Sequence, residues 1–247
     1  MKLALEAVGH AFLGRPVFEA LDLVLDAGEV VALLGPSGCG KTTVMQIAAG
    51  LIDPLRGRVH RHYQRHAVVF QEPRLLPWMT ARDNIAYGLR VAGAPAAPSA
   101  AIAEERAGEV GLARGDLDKF PIEMSGGMRQ RAAVARALAV DPDVMFFDEP
   151  FTAVDVGLKR ALQNLVIEAA AREHFSALFV THDLAEAVRV AHRLLVLSGH
   201  QAGIVAARAI PGRPGERSDR EIFDVVESWS RDPAFAELFD SERGAPS

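Results

Sequence analysis

Along this chain the spacing of apolar residues alternates between the period of a strand and that of a helix, and the changes mark the elements. From Lys2 to Leu34 short apolar stretches read as strands, at Lys2–Ala7, Leu21–Leu25 and Glu29–Leu34, with Gly28 turning the chain into the last. The third is an unbroken apolar run, the pattern of a strand buried on both faces. Thr42 to Gly50 has helical spacing, stopped by Gly50 and Pro54, and Ala67–Phe70 is another short strand. From Glu72 the pattern turns helical. Thr80-Ala81-Arg82-Asp83 reads as a capping box with Asp in the Glu position, opening a helix to about Val91. Ala92–Pro98 reads as a loop, after which Ser99 caps a second helix through Val110. Alternation then resumes with strand Val144–Phe147, helix Val156–Arg172, strand Ala177–Thr181, helix Leu184–His192 and strand Leu194–Leu197. Such alternation predicts an α/β domain whose mostly parallel sheet is covered by helices. The spacing predicts a core from residues 1–71 and 141–210, a helical insertion at 72–140, and an appendage at 211–247. The appendage opens on the loop Pro211–Arg217 and carries two short amphipathic helices, at Arg220–Ser230 and Pro233–Phe239.

Composition narrows the class without changing that outline. At 247 residues, 49% hydrophobic and 24% charged, the chain is that of an ordinary globular domain. It has no apolar run of about 18 residues, so no membrane-spanning helix is expected. Charge appears too early after Met1 for a secretory signal, and the single cysteine, Cys39, excludes an internal disulfide. These features lead us to expect a cytoplasmic domain. A net charge of −5 gives no sign of a polyanion partner.

The chemistry concentrates in three motifs. Gly35-Pro36-Ser37-Gly38-Cys39-Gly40-Lys41-Thr42 lies between an apolar strand and a helix, with Thr43 following. Glycines there let backbone N–H groups turn toward phosphate oxygens, and the helix adds its N-terminal dipole. Lys41 is placed to contact the β- and γ-phosphates, and the Thr42 hydroxyl to ligate Mg²⁺. Asp148-Glu149 closes the strand Val144–Phe147, at the strand end where open α/β sheets bind ligands. Asp148 suits a Mg²⁺ contact through water, and Glu149 suits proton acceptance from an attacking water. The third motif, Ser125-Gly126-Gly127-Met128-Arg129-Gln130, opens a helix and forms a second anion site.

In this order the motifs resemble the ATP-binding subunits of ABC transporters, over nearly all of residues 1–210. The resemblance implies an ABC-type ATPase: a P-loop NTPase core of the RecA type, with N-terminal antiparallel strands and an inserted helical subdomain. Ser125–Gly127 matches the family signature that reaches the γ-phosphate held by a second copy, giving a head-to-tail dimer with two ATP molecules between the copies. The family leucine before the serine is here Met124, a swap of similar volume expected to be harmless. Gln71 matches the glutamine that senses Mg²⁺ and the attacking water, His182 the histidine that touches the γ-phosphate, and Asp155 the aspartate that contacts the opposite copy. Phe12 matches the aromatic that stacks on adenine.

The same resemblance implies integral-membrane permeases as partners, an extracytoplasmic solute-binding protein behind them, and a place on the cytoplasmic face of the membrane. Gln71–Thr80 with Asp83-Asn84-Ile85 resembles the importers of nitrate, sulfonates and taurine, and also those of thiamine-precursor pyrimidines. The alternatives are an exporter subunit, or a soluble ATPase of this family acting on nucleic acid or ribosomes. The low basic charge and the absence of a long coiled-coil insertion weigh against the latter. The stretch from Gly50 to Gln71 looks short, as though an edge hairpin were trimmed. Within it His60, His62 and His66 read as a solvated edge strand, since neighbouring arginines would repel a metal cation.

Overall fold

The computed structural model describes residues 1–152, 156–199 and 203–235. In chain order the strands are β1 (Leu3–Phe12), β2 (Arg15–Leu25), β3 (Val30–Leu34), β4 (Arg56–Arg61), β5 (His66–Val69), β6 (Val144–Asp148), β7 (Ser176–Thr181), β8 (Arg193–Leu197) and β9 (Ile204–Ala209). The helices are α1 (Lys41–Ala49), α2 (Ala81–Val91), α3 (Ala96–Glu109), α4 (Gly126–Ala139), α5 (Val156–Glu173), α6 (Leu184–Val190) and α7 (Asp219–Trp229). The chain forms two compact units, one of Met1–Tyr63 with the chain from His174 onward, the other of Gln64–Glu173.

In the first unit β1 lies between β2 and β4 in an antiparallel sheet. A second sheet runs β7–β3–β8–β9, parallel except for β9. All five residues of β3 are buried, as its unbroken apolar run requires of a central strand. Leu34 is in register with Thr181 on one side and Val196 on the other. The segments leaving β3 and β7 therefore emerge side by side at the carboxyl edge of the sheet, the edge where α/β folds place their ligands.

The first unit departs from the sequence reading in several places, with β1 running on to Phe12 and β2 starting at Arg15. Strand β9 was not foreseen; it pairs antiparallel with β8 from Arg193↔Ala209 onward. Helix α6 ends at Val190 rather than His192 because Arg217, only 8% exposed, donates to the carbonyls of Val188 (2.6 Å) and Ala191 (2.9 Å). The chain then turns so that His192 Nδ1 accepts from the Val30 N–H at 3.0 Å. Arg217 also donates to Pro211 O and Gly212 O, which fastens the start of the appendage before the Ser218–Glu221 capping box opens α7. Beyond α7 the structure describes a single turn at Pro233–Phe235, and the remainder of the expected last helix lies outside the described residues. The stretch Gly50–Gln71 forms no hairpin: β4 pairs with β1, while β5 belongs to the second unit. His60 and His62 stack on the edge strand β4 at 6.5 Å, with His60 Nε2 3.2 Å from the Glu6 carboxylate.

In the second unit β5 pairs in parallel with β6, and α2, α3 and α4 pack on one another. Thr80 caps α2 through the Asp83 N–H, as its box predicts. Fully buried Asn84 holds the preceding loop, accepting from Leu76 N and donating to the carbonyls of Leu76, Met79 and Thr80. Helix α3 begins at Ala96, so Ser99 is not its cap; the Ser99 hydroxyl donates back to Pro95 O at 2.8 Å. Pro98 is tolerated there because a first-turn residue has no helical partner for the N–H that proline lacks. Arg106 on α3 binds Glu109 and Glu173, and Arg172 joins both carboxylates, so four charges tie the ends of α3 and α5 together.

Candidate active site

The first unit carries the loop Gly35–Thr42 between β3 and α1. Gly38 (φ 81°) and Gly40 (φ 101°) take left-handed conformations that side chains rarely adopt. A Cβ on Gly40 would also lie 2.4 Å from Val17 Cγ1, so this position is closed to other residues on two grounds. No side chain caps α1, whose N-terminus faces the loop. The residues therefore fit a phosphate group: two left-handed glycines, a helix start without a side-chain cap, and one cation. That cation is Lys41, 5% exposed, whose Nζ donates to Gly35 O (2.7 Å) and Pro36 O (2.9 Å) across the loop. Thr42 is exposed, whereas Thr43 and Cys39 are buried.

Phe12 ends β1 with 53% of its surface exposed, and its ring meets His10 edge-on at 4.8 Å. It borders a cleft of about 690 Å³ shared with Arg15, Val17, Gly38 and Cys39, so an exposed aromatic face and the phosphate loop line one space. His182, also exposed, leaves β7 beside the loop. Its backbone is set by neighbours on both sides: the Thr181 hydroxyl accepts from Asp183 N at 3.1 Å and donates to the buried Glu186, and Asp183 caps α6.

The second unit carries the acidic and signature residues. Asp148 ends β6 at 9% exposure, and Glu149 follows in a left-handed conformation (φ 46°) that is uncommon outside glycine. The Thr152 hydroxyl donates to Glu149 Oε2 at 3.3 Å. Ser125 caps α4 by accepting from Met128 N at 3.2 Å, and both it and Gly126 are exposed, with Gly127 half-buried behind them. Met124 is buried, as an apolar residue of leucine volume should be. Gln71 is exposed just after β5 and borders a cleft of about 460 Å³ with Arg74, Pro121, Gly126, Arg129 and Gln130. The Gln71 loop and the N-terminus of α4 thus face one space. Asp155 lies outside the described residues.

Two residues that sequence reasoning gave no role are prominent here. Gln130, 4% exposed, donates to Pro150 O at 2.7 Å, and Arg136 donates to Pro73 O and Arg74 O. Their acceptors are backbone carbonyls, which every residue carries, so the sequence holds no signal for these partnerships.

The family model described as ABC transporter matches residues 18–152. The aliphatic sulfonates import ATP-binding protein SsuB 1 of Pseudomonas savastanoi pv. phaseolicola is 42% identical over 211 residues, covering 85% of this chain and 86% of its own. SsuB 3 of Paraburkholderia xenovorans is 46% identical over 197 residues, covering 80% of this chain and 76% of its own. Among solved structures, a dimer of the bacterial ABC transporter cassette MJ0796 matches with a TM-score of 0.78 at 25% identity, over 85% of this chain and 99% of that one. A post-hydrolysis dimer of MJ0796 bound to ADP and Pi matches in fold, with a TM-score of 0.76 at 24% identity.

Proposed function

The chain belongs to the ABC transporter family as an ATP-binding, ATP-hydrolysing importer subunit, and from that premise we propose that it powers uptake of an aliphatic sulfonate or a close relative through a permease. The relatives named above are sulfonate import subunits, and they supply the solute class. Two copies pair head to tail, each ATP held by the phosphate loop of one copy and Ser125–Gly127 of the other. The single observation that most supports this pairing is the exposure of Ser125 and Gly126 at the start of α4, an anion site with nothing capping it from outside among the described residues.

Within each site Lys41 and the loop amides bind phosphate, and Phe12 stacks on adenine. Glu149 accepts the proton of the attacking water, Gln71 orients that water, and His182 contacts the γ-phosphate. Asp155 touches the opposite copy. Thr42, Asp148 and Gln71 are the residues that would hold Mg²⁺; the chemistry this ion supplies is neutralisation of phosphate charge. Closure of the dimer moves the permeases and hydrolysis reopens it, with the chain attached peripherally at the cytoplasmic membrane face. No helix among the described residues is long and apolar enough to cross a membrane, which leaves transport to other subunits. Residues 72–140 are the helical subdomain within this single ATPase domain, and 211–247 its appendage.

The test is capture of tagged Glu149→Gln protein from native membranes with ATP and Mg²⁺. A multi-spanning permease should copurify, and in the complex reconstituted with the wild-type chain an aliphatic sulfonate with its binding protein should raise ATPase activity. Copurification of ribosomal or DNA-bound proteins without a permease would contradict the transport assignment.

A further inference from the structure

Helix α4 does more than present Ser125. Two of its side chains reach out to two separate loops, and each loop carries a residue assigned to hydrolysis. Gln130 Nε2 donates to Pro150 O at 2.7 Å. Pro150 follows Glu149, whose left-handed backbone a non-glycine residue keeps only when its surroundings impose it. Farther along, Arg136 forks over two consecutive carbonyls, Pro73 O and Arg74 O, each at 2.9 Å. Burial pushes the Arg136 guanidinium below its ordinary pKa, and no carboxylate pairs with it among the described residues. Its charge is satisfied by those two carbonyls.

The loop they belong to is closed on itself as well. Arg74 is left-handed (φ 45°), which turns its carbonyl toward α4 alongside that of Pro73. Its guanidinium lies 3.9 Å over the ring of Phe70. Gln71 is therefore bracketed, with Phe70 clamped before it and two carbonyls fastened after it.

We propose that Gln130 and Arg136 are positioning residues that lock the Glu149 turn and the Gln71 loop to the signature helix. When Ser125 engages a phosphate, both hydrolytic side chains are then set together. This rests on the roles given above to Ser125, Gln71 and Glu149. From Ser125 to Arg136 the helix rises about 16 Å, and its second half is packed almost entirely in buried alanine, valine and leucine. A helix packed so closely carries a displacement of one end to the other rather than absorbing it. Arginine is needed at 136 because its planar fork spans two acceptors, which a lysine ammonium on a flexible stem cannot do with the same geometry.

The test uses the full-length protein as wild type, Arg136→Gln, Arg136→Lys and Arg74→Gly. Steady-state ATPase, Mg²⁺ activation, binding of a fluorescent ATP analogue and thermal melting are read on each. A misplacement of the order of an ångström can cost about 100-fold, so Arg136→Gln should lose roughly 10- to 100-fold in kcat. Its affinity for the analogue should be unchanged, and half-activation should need more Mg²⁺. Arg136→Lys should regain melting temperature without regaining kcat. Arg74→Gly leaves α4 untouched, releases the clamp on Phe70 and relieves the left-handed strain at 74; it should lower kcat without lowering the melting temperature, and it decides the matter if Arg136→Gln does not fold. Recovery of kcat and melting temperature together in Arg136→Lys, or wild-type kcat in Arg136→Gln or Arg74→Gly, would overturn the proposal. A wild-type protein without ATPase activity would instead sink the functional reading beneath it.

Discussion

The phosphate loop and the two loops tied to α4 solve the same conformational problem by opposite means. In Gly35–Thr42 the left-handed positions are glycines, Gly38 and Gly40, so the backbone reaches its shape at little steric cost. In the two loops tied to α4 the left-handed positions are Arg74 and Glu149, where that shape costs about 1–3 kcal/mol each. Both have an outside tie close by: Arg136 holds the carbonyls of Pro73 and Arg74, and Gln130 holds that of Pro150. The phosphate loop is shaped by its own sequence, and the hydrolytic loops are shaped by a helix. Binding and hydrolysis should therefore respond separately to substitution.

The strongest way to break that separation is at Lys41. Replacing it with Met keeps a similar volume but removes a buried ammonium that now bridges Gly35 O and Pro36 O. Losing roughly two charge-assisted hydrogen bonds to phosphate should cost about 3–6 kcal/mol, or 10²–10⁴ in ATP affinity, measurable by titration with a fluorescent analogue. A smaller effect is expected at Phe12. Base–aromatic stacking contributes about 1–3 kcal/mol, so Phe12→Ala should weaken ATP binding roughly 5- to 150-fold. Because Phe12 is half-exposed, its melting temperature should hold; a fall in stability without a fall in affinity would make it a packing residue.

The smallest expected effect concerns the frame beneath the phosphate loop. Burial lowers the pKa of His192, and its Nδ1 accepts from Val30 N at the start of β3. The unfolded chain then takes up this proton at higher pH than the folded one. His192 should contribute full stability above about pH 6.5, falling as pH drops through the folded pKa. Melting curves between neutral and mildly acidic pH should slope less in His192→Gln than in wild type.

How far the sequence could be read follows the same division. The loop Gly35–Thr42, the strand Val30–Leu34 before it and the apolar run into Asp148 are local patterns, so their elements were legible. The start of α3 was misplaced because Pro98 reads as a breaker, although it falls in a first turn where no hydrogen bond is lost. Strand β9 was missed because Ile204–Ala209 is short and partly exposed, and only its pairing with β8 makes it a strand. The partners of Arg136 and Gln130 were invisible for a different reason: backbone carbonyls more than a dozen residues away leave no mark in composition or spacing.

The separation of binding from hydrolysis is tested most directly in the Glu149→Gln protein, with ATP affinity and single-turnover hydrolysis measured on the same preparation. Loss of a general base should slow hydrolysis by about 10²–10⁴ while ATP affinity stays at the wild-type value. Hydrolysis at the wild-type rate, or a loss of affinity as large as the loss of rate, would contradict it.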